Sequence, residues 1–229
     1  MTEAEFDRVA DDYQAQHAAS IRLSGEEPAY FANYKAEDAR QIVSLAGLKP
    51  ENILDFGCGV GNSIAPLRKH FPEAQITGLD VSLESLAVAR NVHGDTVEYR
   101  SYDGLQIPAD IGRFDLIFTA CVFHHIPHAQ HIALLRQIKA LLKPGGRFIL
   151  FEHNPWNPLT RHAVANCPFD ANAVLISAPE MMRRFKSAGF CCAPIRYRIF
   201  FPALFARLRP LERYLTWLPL GAQYCLSGN

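Results

Sequence analysis

The feature that most constrains this chain is a short apolar run at residues 52–56 that ends in a glycine-spaced turn, ILDFGCGVGN over residues 53–62. Glycine tolerates positive φ and lets a backbone approach a ligand closely. After the turn, strand-like and helix-like segments alternate. Residues 75–79, 97–100, 114–119 and 147–151 read as further strands. Residues 62–70 read as a helix, as does a segment that Ser82 can cap and that runs to about residue 92. Residues 128–142 carry Ile132, Leu135, Ile138 and Leu142 at helical spacing, and Pro144, Gly145 and Gly146 close that helix. This alternation predicts a parallel sheet with helices on both faces. In such sheets ligands lie at the carboxyl ends of the strands, where the strand order reverses.

The flanks are different in kind. Residues 3–19 read as an amphipathic helix with Phe6, Val9, Ala10, Tyr13 and His17 on one stripe. Residues 28–35 predict a second short helix, and residues 36–46 a third, stopped by Gly47 and Pro50. Residues 154–176 show little periodicity and read as a loop. Ser177, followed by Glu180, forms a capping box that opens a helix ending at Gly189. Residues 191–200 and 222–227 read as a closing pair of strands. Between them, residues 202–220 combine Leu204, Phe205, Leu208, Leu211, Tyr214, Leu215, Trp217 and Leu218 with Arg207, Arg209 and Arg213. That mixture suits a substrate-cap segment or a dimer surface better than a membrane-surface anchor. At 229 residues the chain predicts one domain. Residues 1–35 would form a helical lid, 36–153 the cofactor-binding core, and 154–229 the substrate loop, cap segment and closing strands.

Charge and cysteine usage narrow the function. Lys plus Arg and Asp plus Glu are both 23, and a chain without excess base is a poor phosphate-backbone binder. The six cysteines contain no C-x-x-C pair, which disfavours a zinc ribbon and suggests reduced thiols in a cytoplasmic protein. The polar, acidic N-terminus does not read as a signal peptide. Histidines and acids show no metal-ligand spacing, so no metal is expected.

The chemistry hangs on three acids. A nicotinamide or flavin site needs G-x-G-x-x-G, but the third glycine would fall at Asn62. Asp55, two residues before Gly57, opposes a pyrophosphate: like charges at about 4 Å cost on the order of 4 kcal/mol at an effective dielectric near 20. The same carboxylate suits an ammonium group. Asp80 in G-L-D can accept from ribose hydroxyls, and Asp103, ahead of Gly104, can accept from an adenine amino group. S-adenosylmethionine (SAM) carries all three donors and no phosphate.

DFGCGVGN, then GLD, FDLIFTACVFHHI and LKPGGRF, resembles the class I SAM-dependent methyltransferases of small-molecule type over roughly residues 36–190. The resemblance implies a Rossmann-like α/β fold, a seven-stranded, mostly parallel sheet whose last strand is antiparallel. It implies SAM as cofactor, S-adenosylhomocysteine as product, and cofactor contacts from Asp55, Gly57, Cys58, Gly59, Asn62, Asp80, Val81, Ser82, Asp103, Gly104, Thr119 and Ala120, with Tyr13 and Lys35 from the lid. Residues 152–170 are similar to a bacterial subset of the family. A hydroxyl acceptor would need a base, and His124 and His153, at the ends of the fourth and fifth strands, are the candidates. The expected partner is a small-molecule or lipid-linked acceptor, not a nucleic acid, bound by a monomer or homodimer. A non-catalytic SAM-binding protein and a nicotinamide oxidoreductase are the competing readings.

Overall fold

In a computed structural model, residues 21–229 are described. The helix read at 3–19, with Tyr13, lies outside them. Seven strands form one sheet: β1 Asn52–Phe56, β2 Gln75–Asp80, β3 Glu98–Ser101, β4 Phe114–Ala120, β5 Leu142–His153, β6 Arg196–Arg198 and β7 Gln223–Gly228. Their order is β3-β2-β1-β4-β5-β7-β6. β1 to β5 pair in parallel, and β7 runs antiparallel to both β5 and β6. The Rossmann-like α/β expectation and the antiparallel closing strand are therefore observed. The order reverses between β1 and β4, the two strands whose ends frame a ligand crevice.

The helices cover both faces because each strand alternates its side chains. From β1, Leu54 and Phe56 enter a core with Leu134, Leu135 and Ile138 of helix α4 (His131–Ala140) and Met181 and Phe185 of α6 (Ala178–Ser187). Ile53 enters the opposite core. There it meets Ala36, Ala39 and Val43 of α1 (Pro28–Leu45), Ile64 and Leu67 of α2 (Ile64–His70), and Leu86 and Ala89 of α3 (Leu83–His93).

Local chemistry explains several boundaries. Residues 28–45 form one helix rather than two, because Pro28 takes the first turn and neither Gly nor Pro follows within it. Ser82 caps α3 as expected, its Oγ accepting from the Ser85 N–H at 3.0 Å. The Ser177 capping bond is not made: α6 begins there, but Glu180 pairs instead with Arg183 and Arg184. The strand expected at 147–151 begins earlier, at Leu142, because a bulge absorbs Pro144 to Gly146. Gly146 is required in it, since a Cβ would meet three backbone oxygens at 3.0–3.1 Å. The loop read at 154–176 contains α5 (Pro158–Ala165), capped by Asn157 Oδ1 on the Thr160 N–H at 2.9 Å.

Candidate active site

A cavity of about 500 Å³ opens along the carboxyl ends of β1 to β5, within the ~300–1,000 Å³ usual for small-molecule sites. With strands about 4.8 Å apart, the distance from the end of β3 to the end of β5 is roughly 19 Å. The ends of β2 and β3 bring Asp80, Tyr102 and Asp103; those of β4 and β5 bring His124 and His153.

The glycine turn folds over the end of β1. Gly57, Gly59 and Gly61 all have positive φ. Gly57 is needed for packing: a Cβ would lie 2.4 Å from Val122 Cγ2. Gly59 differs, because a Cβ there would meet nothing within 4 Å, yet the residue lines the cavity. That open space suits close approach by a ligand. Asp80 fixes the turn, Oδ2 accepting from the Gly59 N–H at 2.7 Å and Oδ1 from the Ser82 N–H at 3.0 Å. A carboxylate oxygen can accept more than one hydrogen bond. Asp103 Oδ1 accepts from the N–H groups of Leu105 and Gln106, which holds its pKa below the usual carboxylate range.

The residues assigned to SAM from sequence divide into two groups. Gly57, Cys58, Gly59, Asn62, Asp80, Val81, Asp103, Gly104, Ala120 and Lys35 line the cavity. Asp55, Ser82 and Thr119 are not on its wall and are buried behind it. Ser82 is occupied as the α3 cap. Asp55 lies beneath the turn with Oδ2 unpaired, and burial first, then the neighbouring Asp80, pushes its pKa up to about 8. Asn62 does not cap α2, whose cap position is Ser63. Lys35 is buried, its Nζ 3.5 Å from Cys121 Sγ.

The other end of the cavity is built around two acids that sequence reasoning did not single out, Glu152 and Asp170. Glu152 Oε1 accepts from the N–H groups of Val122 and Phe123, at 3.0 and 2.7 Å, and Oε2 from His124 Nδ1 at 2.7 Å. The turn after β4 is thereby pinned to the end of β5. Asp170, from the 3₁₀ turn Pro168–Asp170, places Oδ1 3.4 Å from His124 Nε2 and 3.2 Å from His125 Nε2. Burial disfavours charge on His124, but the Glu152 and Asp170 carboxylates outweigh it and raise the imidazole to about 10. Glu152 is drawn down to about 2 against its own burial, chiefly by His124. Burial and the charge on His124 lower His153 to about 4. The one available signal for these acids was position: Glu152 at a strand end, and Asp170 in the C-P-F-D stretch.

Among the described residues, two non-glycine residues have left-handed backbones, Cys121 (φ 59°) and Ile199 (φ 63°), and both line the cavity. Strain of this kind concentrates at functional sites. The loop at 153–170 supplies His153, Asn157, Leu159, Thr160, Ala163 and Val164 to the wall. Of the 202–220 segment, Pro202 is the residue that reaches the wall. Its 3₁₀ stretch, Ala203–Tyr214, is anchored by Glu212 Oε1 to the N–H groups of Phe200 and Phe201 and by Arg209 to Glu26, leaving Leu204, Leu208, Leu211, Trp217 and Leu220 exposed. No helix among the described residues is long and apolar enough to cross a membrane.

Comparison with known proteins follows the same lines. Residues 53–146 match a family described as a methyltransferase domain. The chain is 32% identical over 132 residues to the trans-aconitate 2-methyltransferase of Escherichia coli, covering 54% of this chain and 49% of that protein. It is 33% identical over 135 residues to the ribosomal RNA small subunit methyltransferase C of Pseudomonas entomophila, covering 56% and 41%. It spans about half the length of the curated relatives it matches. Among solved structures, the plantazolicin methyltransferase BpumL in complex with S-adenosylhomocysteine superposes with a TM-score of 0.65 at 16% identity, covering 98% of each chain. The motifs, the strand order, the matched residues and this superposition agree: the chain carries the methyltransferase domain and the fold of the class I SAM-dependent methyltransferases.

Proposed function

We propose that this protein transfers the methyl group of SAM to an oxygen, nitrogen or carbon atom of a small or lipid-linked metabolite. The observation that carries the reading is one continuous cavity with two chemically distinct ends, glycine turn and carboxylates on one side of the strand-order reversal and histidines on the other. The first end fits SAM. Asp80 receives the ribose hydroxyls, Asp103 the adenine amino group, and Gly59 leaves room for the methionyl part, with Lys35 pairing its carboxylate and Asp55 answering its ammonium from beneath the turn. SAM supplies an already activated methyl group, so the protein's task is alignment, which is worth up to about 7–11 kcal/mol of barrier.

The acceptor end is walled by Leu159, Val164, Ile199 and Phe200 around the histidines. That mixture supports an acceptor with an apolar body and one polar reacting group. The exposed apolar residues that follow Pro202 are consistent with a lipid-linked acceptor approaching from that side. The curated relatives include a trans-aconitate methyltransferase and an O-methyltransferase of Penicillium expansum, both named for methylation of small molecules or of oxygen. For a hydroxyl acceptor, His153 receives the proton: its imidazole is neutral, whereas the carboxylates around His124 keep that imidazole charged. Six unbridged cysteines support a cytoplasmic setting.

The test is a screen of metabolite and lipid extracts with methyl-labelled SAM, read by mass spectrometry for labelled product and S-adenosylhomocysteine. SAM binding without any labelled product would favour a non-catalytic SAM-binding role. Micromolar NAD affinity in a parallel titration would overturn the cofactor assignment and the argument from Asp55.

A further inference from the structure

The wall beneath β4 and β5 gathers more ionisable groups than one proton transfer requires. His124, His125, His153 and Asp170 all line it, and Glu152 is bonded to His124 from behind. His124 is 2% exposed, and its Nε2 makes no hydrogen bond of acceptable geometry. Among the described residues, the donor atoms of His124, His125 and Asp170 lie within 4.8 Å of one another. Ligand atoms about 2.0–2.1 Å from a tetrahedral zinc ion are about 3.3–3.4 Å apart. Two edges of the triangle, 3.4 and 3.2 Å, already have that length.

We propose that His124, His125 and Asp170 bind one divalent transition-metal ion of the zinc class, leaving a coordination position for the polar group of the methyl acceptor. Glu152 is the carboxylate that orients a ligating histidine: its Oε2 accepts a hydrogen bond from His124 Nδ1–H, which leaves Nε2 as the nitrogen that would bind the ion, on loss of its proton. Its other oxygen is held by two backbone N–H groups, so the arrangement is rigid before any ion arrives. Charge points the same way. Two buried carboxylates stand among three imidazoles, and a divalent ion balances both acids with every imidazole neutral. Nitrogen-rich donors favour zinc, cobalt or nickel over magnesium. With His124 engaged as a ligand, the acceptor proton falls to His153. Adjacent histidines joined by an acid from a separate turn have no sequence spacing, which is why a metal was not expected.

The use of the ion rests on the methyl-transfer reading, but its binding does not. Chelator-treated, tag-free protein is dialysed against zinc, cobalt or magnesium and its metal content measured, with and without SAM. One equivalent of zinc is expected at micromolar or tighter affinity, cobalt with a visible absorption band, and magnesium bound far more weakly. Asp170→Asn and His125→Gln should each weaken zinc at least tenfold, Glu152→Gln about 10–100-fold, while Asp170→Asn keeps its SAM affinity. No saturable zinc binding up to millimolar concentration, or zinc affinity unchanged in Asp170→Asn, overturns the site. Failure of SAM to bind the wild-type protein counts against the methyltransferase reading alone.

Discussion

Asp55→Asn separates the stability of this fold from its ligand chemistry. The Asp55 carboxyl is buried, one oxygen has no partner, and burial together with Asp80 raises its pKa to about 8. In the unfolded chain the same group titrates near 4. Between those values the folded protein holds a proton that the unfolded chain has lost, so stability falls as pH rises from about 4 to about 8. At about 1.4 kcal/mol per pKa unit, the contribution approaches 5–6 kcal/mol above pH 8 and is nearly absent below pH 4. Asparagine keeps the shape and has no charge to bury. Urea unfolding of ligand-free protein should therefore show wild type and Asp55→Asn similar near pH 4.5, with the variant ahead by several kcal/mol at pH 9. A difference that does not change with pH, or a less stable variant at pH 9, refutes the reasoning. The ligand reverses the order. An ammonium near Asp55 favours the carboxylate, so SAM binding at pH 7 should release a proton in wild type and none in the variant. Calorimetry in buffers of different ionisation enthalpy reads this directly. Asp55 acts on the ammonium through space from behind the wall and not by contact, so SAM affinity of the variant should fall by less than the loss of a direct charge-assisted bond, about 1.5–3 kcal/mol, would cause.

Three further outcomes are expected. Asp80→Ala removes the acceptor of the ribose hydroxyls and the anchor of the Gly59 and Ser82 N–H groups; SAM affinity by calorimetry should drop about tenfold to more than a hundredfold, and unchanged affinity would mean the acid has another role. Gly57→Ala drives a Cβ into Val122 and should lower the melting temperature sharply, whereas Gly59→Ala, with open space around its Cβ, should cost less stability and more SAM affinity; equal effects on both readouts would contradict the division between packing and cradle. Replacing His153, the histidine that receives the acceptor proton, by Ala should slow transfer to a hydroxyl acceptor about 10²–10⁴-fold while SAM still binds; full turnover in the variant would point to an acceptor that needs no base, such as a neutral amine.

The cofactor end was legible in the sequence because it is local. Asp55, Gly57, Gly59, Asp80 and Asp103 each lie at or just beyond a strand end that alternation alone identifies, and the parallel sheet turns that list into one edge. Strand identity and the Ser82 cap were set by apolar periodicity and side-chain chemistry over a few residues, while the antiparallel direction of the closing strand was implied by the family resemblance. The acceptor end was not legible, because its contacts join residues distant in the chain. Asp170 meets His124 only after α5 has folded the 153–170 loop across β4 and β5. Gln223 of β7 accepts from Tyr34 of α1, bringing that helix and the closing strand together. The 202–220 segment is anchored by Glu212 to the backbone at Phe200 and Phe201, a contact that composition does not reveal, and it places Pro202 on the wall. Short-range patterns determine which segments are strands and helices. Tertiary packing decides which polar side chains are buried together, because the cost of leaving a buried charge unpaired is felt only once distant segments have excluded water around it.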